Sequence, residues 1–571
     1  MRRFEGAKEV FNGNQYYLTE DVQLKDKERY NLIFDKNSIT PGTKFMERLD
    51  NFIRTYIKYK MSTDEVWKRC TVIYSDHKVP GEGEQKIMEY IRIHQGHNYN
   101  KDYKHVIYSP DADLIFLGLT LQNHNVRIMR EDEIKKVIET DNPTSELALE
   151  TDFRNMKFIF VEINKMRNSM VDAFINDIGE TFDSKRFIRD FIFLCFTVGN
   201  DFLPCSPAFE IRTNAIEKIR SIYVRSYKET KSYIVTDSLT INYKALIAFF
   251  RLCAAEEDAN LEDKRDNLIR SRERMNRIFD EDVEFLLDNE FGKKKYYKEK
   301  MNLKNQDDLL SSCLMYVKGM EWICKYYFDN NCPSWNWYYP NYYAPFMKDL
   351  CMLDPDIVIS FAKSVPCKAY ETLLLALPSV SMHLLPERLR KFYFDNESIK
   401  LKSPYCDKID LKSDKGDFKY DYIEIYNSLD TKNHFLWEVF DFSDLQFKTD
   451  DFQKIMDWQA VPILPKMEID KVKKFYNEES NNLDLPDLDR NLCGLYTLYT
   501  CDEEYIKKHS NLIVNSYDYC ANNIFCGKIF RPCKFDKIGD KINIFDESCL
   551  NLAMEYSFDQ RYRQFAKRKK H

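Results

Sequence analysis

Three short acidic groups stand out for the chemistry their spacing allows. Glu82 and Glu84 flank Gly83 directly after Pro80-Gly81, Asp111 and Asp113 follow Pro110, and Asp201 lies within Gly199-Asn-Asp-Phe-Leu-Pro204. Each group sits beside an apolar run: Cys70 to Tyr74, His105 to Tyr108, and Phe187 to Val198. A single acidic pair in the first turn of a helix needs no function, because the helix dipole favours it. Three such groups brought into one cleft are different. Clustered carboxylates repel, and the cost is removed when a cation neutralises them. An all-oxygen donor set suits Mg²⁺ or Mn²⁺ and not zinc. A pair of such ions, roughly 3.5–4 Å apart, activates water and stabilises the leaving oxygen of a phosphodiester.

The elements that must position these groups follow from the pattern between them. A strand over 70–75, a helix over 84–95, a strand over 105–108, a helix over 112–121 and a strand over Val126–Met129 alternate along the chain. That alternation predicts an α/β fold, a parallel sheet with crossover helices. Such sheets place their sites at the carboxyl ends of the strands. Upstream, Thr40-Pro41 predicts the start of a helix whose apolar face carries Phe45, Leu49, Phe52 and Tyr56. Downstream, 158–174 and 187–198 read as helices, and 214–308 as helical and rich in charge. Lys293 to Tyr297 reads as a solvated turn, with an RNA path as the alternative. Three domains are expected: a nuclease core over 1–205, a mainly helical region with a tryptophan-rich segment over 206–400, and a C-terminal region over 401–571.

Composition narrows the class. With 571 residues and 44% hydrophobic content, the chain is long enough for more than one core. A net charge of −7 argues against indiscriminate coating of nucleic acid, yet allows a local basic channel. The 16 cysteines form no Cys-x-x-Cys pair, which predicts reduced thiols in an intracellular protein, with nucleus and cytoplasm left open. No apolar run is long enough for a membrane span, and no membrane partner is expected.

Gly81-Glu-Gly-Glu84, Asp111-Ala-Asp113, Gly199-Asn-Asp-Phe-Leu-Pro204 and Ile39-Thr-Pro-Gly-Thr-Lys-Phe-Met46 together resemble the XRN family of 5′→3′ exoribonucleases. A second stretch, Pro333-Ser-Trp-Asn-Trp-Tyr-Tyr-Pro340 with Tyr343-Ala-Pro345, resembles another conserved part of that family and holds Trp335 and Trp337. The resemblance implies a parallel-sheet nuclease core (PIN/flap-nuclease-like), with Glu82, Glu84, Asp111, Asp113 and Asp201 as catalytic residues binding Mg²⁺ or Mn²⁺. It implies single-stranded RNA with a 5′-monophosphate as substrate, Arg2 and Arg3 at the phosphate, and Trp335 or Trp337 nearest the RNA. A solvated basic N-terminus is the plain alternative for the two arginines. The resemblance also implies that the family's usual N-terminal start is lacking, with a separate N-terminal half as a possible partner. Two rivals are kept: a catalytically impaired RNA-binding or scaffold relative, and a flap-type DNA nuclease.

Overall fold

The alternation of strand and helix is realised around two neighbouring parallel strands. The computed structural model describes residues 35–94, 103–122, 124–132, 157–209, 211–274, 290–329, 332–377, 379–393, 469–494, 496–501 and 533–537. Arg2 and Arg3 lie outside these residues. The first elements in chain order are helix α1 (Lys44–Thr63), strand β1 (Val72–Tyr74), helix α2 (Gly83–His94), strand β2 (Lys104–Tyr108) and helix α3 (Asp113–Thr120). Strands β3 (Asn125–Glu131) and β4 (Phe158–Glu162) come next, then helices α4 (Ile163–Ile178), α5 (Ser184–Cys195), α6 (Ala215–Thr230), α7 (Tyr243–Arg274), α8 (Glu290–Glu299) and α9 (Gln306–Phe328). Helices α10 (Ala369–Ala376) and α11 (Ile469–Ser480) and strands β5 (Tyr496–Thr500) and β6 (Cys533–Lys537) complete the set used below. The chain is α/β, with small sheets and mostly helices.

These elements fall into two units, one built mainly from 82–364 and the other from the segments on either side of it. In the first unit β2 and β3 pair in parallel, from Lys104 opposite Asn125 to Tyr108 opposite Met129. Ile107, Val126 and Ile128 point from this sheet into one apolar core with Leu114, Leu117, Phe174 and Phe187. The expected helix over 158–174 begins as a strand instead: β4 pairs antiparallel with β3, and the helix starts only at Ile163. The Phe-Ile-Phe-Val run is apolar without a decisive period, and the open edge of β3 settles it as strand. Lys293 to Tyr297 is not a solvated turn. It lies within α8, where the Tyr296 hydroxyl donates to the Ala344 carbonyl at 2.8 Å and the Tyr297 hydroxyl donates to Asp349.

The second unit corrects the expected sheet. β1 does not join β2 and β3. It pairs antiparallel with β5, with Ile73 opposite Leu498, and β5 pairs in parallel with β6. Local alternation cannot announce a partner strand more than four hundred residues away. Helix α1 also starts later than Thr40-Pro41 predicts. Gly42 adopts a φ of +91°, which breaks the helical path, and the Thr43 hydroxyl caps α1 by accepting from Met46 N–H at 3.3 Å. Arg54 on α1 then binds the carboxylates of Asp50 and Asp76, and donates to Thr497 Oγ1 at 2.8 Å on β5. Ten described cysteines stand outside any disulfide, while Cys493 is disulfide-bonded, so the expectation of reduced thiols does not hold there. Among the described residues no helix is long and apolar enough to cross a membrane.

One buried carboxylate organises the back of the first unit. Asp190 on α5 is fully buried and accepts from Tyr223 Oη at 2.6 Å, Ile234 N–H at 2.7 Å and Val235 N–H at 2.8 Å. Asp190→Ala strands three buried donors at roughly 1–3 kcal/mol each. The expected outcome is a loss of about 3–9 kcal/mol in denaturant unfolding of that unit. A loss under about 1 kcal/mol would show that the three donors find other partners.

Candidate functional site

Each acidic group is placed by a short device that its own neighbours supply. Glu82 and Glu84 stand at the start of α2, whose Met88 and Ile91 are buried and pin the helix to the core. Pro110 ends β2, and Asp111 and Asp113 open α3. Asp111 N–H donates to Ser109 Oγ at 3.1 Å, and Asp113 N–H donates to Asp111 Oδ1 at 3.2 Å. Asp201 lies in a tight turn after α5. The Asn200 side-chain oxygen accepts from the N–H groups of Phe202 and Leu203, both at 2.9 Å, and Asp201 is left exposed. Gly319 on α9 allows the turn to pack closely, because a Cβ there would lie 2.6 Å from Leu203 Cδ2.

The three groups act on one another electrostatically. Desolvation raises Glu82 above the usual carboxylate range, and Asp201, Asp113 and Asp111 raise it further while a hydrogen bond from Tyr326 opposes them. Glu82 keeps contact with solvent, so that desolvation is partial. Burial pushes Glu84 up to about 7, and the charges of Glu82, Asp111, Asp113 and Asp201 add to the shift. Asp113 is raised by desolvation first, then by Asp111 and Asp201, against a hydrogen bond from Tyr327. Among the described residues no group of three or more His, Cys, Asp or Glu side chains lies close enough together to hold a metal ion. The donor set nonetheless has the chemistry a hard divalent cation takes: carboxylate oxygens only, from three chain segments, each disfavouring its neighbours' charge.

Helix α9 supplies partners that the sequence pattern did not mark. The Tyr326 hydroxyl donates to Glu82 Oε2 at 2.8 Å, and the Tyr327 hydroxyl donates to Asp113 Oδ2 at 3.3 Å. Tyr326 stacks on Trp322, with ring centroids 5.0 Å apart at 26°, and meets the edge of Phe202, the residue after Asp201. Arg92 on α2 is half-buried and donates to the carbonyls of Tyr327 and Asp329 and to Thr120 Oγ1 at the end of α3. As sequence, Tyr326 and Tyr327 are two aromatics among many at helical spacing, and only a shared motif position would have separated them from core filling.

Trp335 and Trp337 are both half-buried. Trp337 packs near Trp322 at 6.3 Å and against the edge of Phe361 at 5.9 Å, so at least one of its faces belongs to the core. Trp335 is fixed through its backbone, whose N–H donates to Ser364 Oγ at 2.7 Å.

Two family models match the chain. One, described as the XRN 5′-3′ exonuclease N-terminus, covers residues 1–132, and the other, the Xrn1 helical domain, covers 181–290 and 281–425. Glu82, Glu84, Asp111 and Asp113 fall in the first match and Asp201 in the second. The expectation that the family's N-terminal start is lacking is not borne out. Among similar proteins, 5′-3′ exoribonuclease 2 of Candida albicans is 26% identical over 90% of this chain and 64% of its own length. The Arabidopsis thaliana protein of the same name is 29% identical over 70% of this chain and 51% of its own. Human 5′-3′ exoribonuclease 1 is 30% identical over 67% of this chain and 25% of its own. The chain thus spans between a quarter and about two thirds of the length of these relatives.

The donor set makes a prediction that needs no RNA. Saturating Mg²⁺ at 100 times its Kd stabilises a protein by about 2.7 kcal/mol. Thermal melting in Mg²⁺ against chelator is expected to show a gain of that order for the unaltered chain. Glu84→Gln and Asp113→Asn are expected to lose most of the gain while melting higher than the unaltered chain in chelator, since each removes one like charge. An equal Mg²⁺ gain in variants and parent would contradict the shared site.

Proposed function

The chain belongs to the XRN family of 5′-3′ exonucleases, and on that premise we propose that it is a metal-dependent exoribonuclease degrading 5′-monophosphorylated single-stranded RNA to nucleoside monophosphates. The observation that carries the reading is the gathering of Glu82, Glu84, Asp111, Asp113 and Asp201, from three separate segments, into one field of mutual repulsion. The names of the similar proteins support the same reading. The sheet of β2 and β3, with its crossover helix α3, is read as part of a PIN/flap-nuclease-like core.

In this reading the five carboxylates hold Mg²⁺ or Mn²⁺. Such ions, when bound, lower the pKa of water and stabilise developing charge on the phosphate and leaving oxygens. The chain's own groups do the rest. Asn200 fixes the turn that presents Asp201 to solvent, and the first turns of α2 and α3 present the other two pairs. Arg2 and Arg3 are proposed to read the 5′-phosphate, since a guanidinium fork matches phosphate geometry. The exposed part of Trp335 or Trp337 is proposed to stack a base. Stacking is indifferent to base identity, which suits a progressive nuclease.

A decay assay with Mg²⁺ on matched 5′-phosphate and 5′-hydroxyl RNAs tests the proposal. Mononucleotide release from the phosphorylated RNA is expected, with Glu82→Gln inactive. Asp111→Ala is expected to abolish cleavage and leave RNA binding within a few-fold, because it removes an ion ligand and no base contact. Internal cutting of duplex-flap DNA with RNA left intact would replace the proposal with a flap nuclease. RNA binding with no cleavage by the unaltered chain would replace it with an RNA-binding relative.

A further inference from the structure

Two adjacent residues of α9 reach two different carboxylates of the site. Successive side chains on a helix point about 100° apart, so neighbours rarely serve one cluster. Here the tyrosine pair splays across it. The Tyr326 hydroxyl donates to Glu82, which precedes α2, and the Tyr327 hydroxyl donates to Asp113, which opens α3. Their rings are held independently of those bonds. Tyr326 packs on both Trp322 and Phe202, and Tyr327 is 3% exposed with its ring against Phe196 at 5.1 Å.

The helix end that carries both tyrosines is itself fixed. Arg92 donates to the Tyr327 and Asp329 carbonyls at the last turn of α9 and to Thr120 at the last turn of α3. Arg92 stands on α2, the helix that Glu84 opens. One half-buried guanidinium therefore ties together the three helices that carry Glu84, Asp113 and the tyrosine pair.

We propose that Tyr326 and Tyr327 are positioning residues for the metal-binding carboxylates, orienting Glu82 and Asp113 through their hydroxyls, with Arg92 locking the helix end that presents them. The proposal rests on the metal-dependent reading above. A carboxylate has about four lone-pair sites on its two oxygens, so accepting one tyrosine hydrogen bond leaves room for an ion. It also removes rotamer freedom that the side chain would otherwise lose on binding. Partners of this kind, one bond removed from the ion, change metal affinity by roughly 10–100-fold when deleted.

Tyr326→Phe and Tyr327→Phe keep the rings and delete only the hydroxyls. Mn²⁺ binding, followed by electron paramagnetic resonance of free Mn²⁺ without RNA, is expected to weaken about 10-fold in each and further in the double variant. The Mg²⁺ concentration for half-maximal RNA decay is expected to rise in parallel, while KM for RNA at saturating Mg²⁺ stays unchanged. Arg92→Lys is expected to weaken Mn²⁺ binding in the same direction, because a lysine cannot hold all three acceptors at once. Mn²⁺ affinity within twofold of the parent in both Phe variants overturns the proposal, and so does an unaltered chain that binds no Mn²⁺. A chain that binds Mn²⁺ but leaves RNA intact overturns the nuclease reading alone, and the tyrosine pair is then judged on the Mn²⁺ affinities.

Discussion

Repulsion among five carboxylates is the constraint on which the first unit depends. Bringing Glu82, Glu84, Asp111, Asp113 and Asp201 together costs free energy that the fold must hold against. Burial pushes Glu84 up to about 7, and the charges of Glu82, Asp111, Asp113 and Asp201 add to that shift. The surrounding devices act against it: hydrogen bonds within the Asp111 and Asn200 turns, two tyrosine donors, and an apolar core behind α2, α3 and α5.

The same logic explains why so much aromatic packing stands behind a charged site. Trp322, Tyr326 and Phe202 form a contiguous set, and Trp322 Nε1 donates to the Ser334 carbonyl at 2.9 Å, at the head of the tryptophan-rich segment. Stiff rings with few rotamers give the carboxylates a fixed backing. Gly319 permits the close approach of α9 to the Asp201 turn, so helix, turn and rings pack as one body.

Much of the site was legible in the sequence, and the reasons are local. Pro110 and Pro80-Gly81 announce chain breaks, carboxylates follow them, and apolar runs fix the elements on either side. Those signals single out Glu82, Glu84, Asp111, Asp113 and Asp201, whose charges act on one another in the structure. What the sequence hid was long-range. The pairing of β1 with β5 joins residues 72–74 to 497–499, and no short-range pattern encodes it. Phe158 to Val161 is apolar at every position, so only the edge of β3 could decide between helix and strand. Tyr326 and Tyr327 hid for another reason: in a chain with 37 tyrosines and 40 phenylalanines, a functional hydroxyl looks like core filling until its acceptor is seen.

The central claim is that these five side chains form one cation site. Anomalous diffraction from a crystal of the chain soaked in Mn²⁺ tests it most directly. The account predicts Mn²⁺ density bounded by oxygens of Glu82, Glu84, Asp111, Asp113 and Asp201, with Tyr326 and Tyr327 still bonded to their carboxylates. Full occupancy of Mn²⁺ elsewhere, with these carboxylates unliganded and apart, would contradict it.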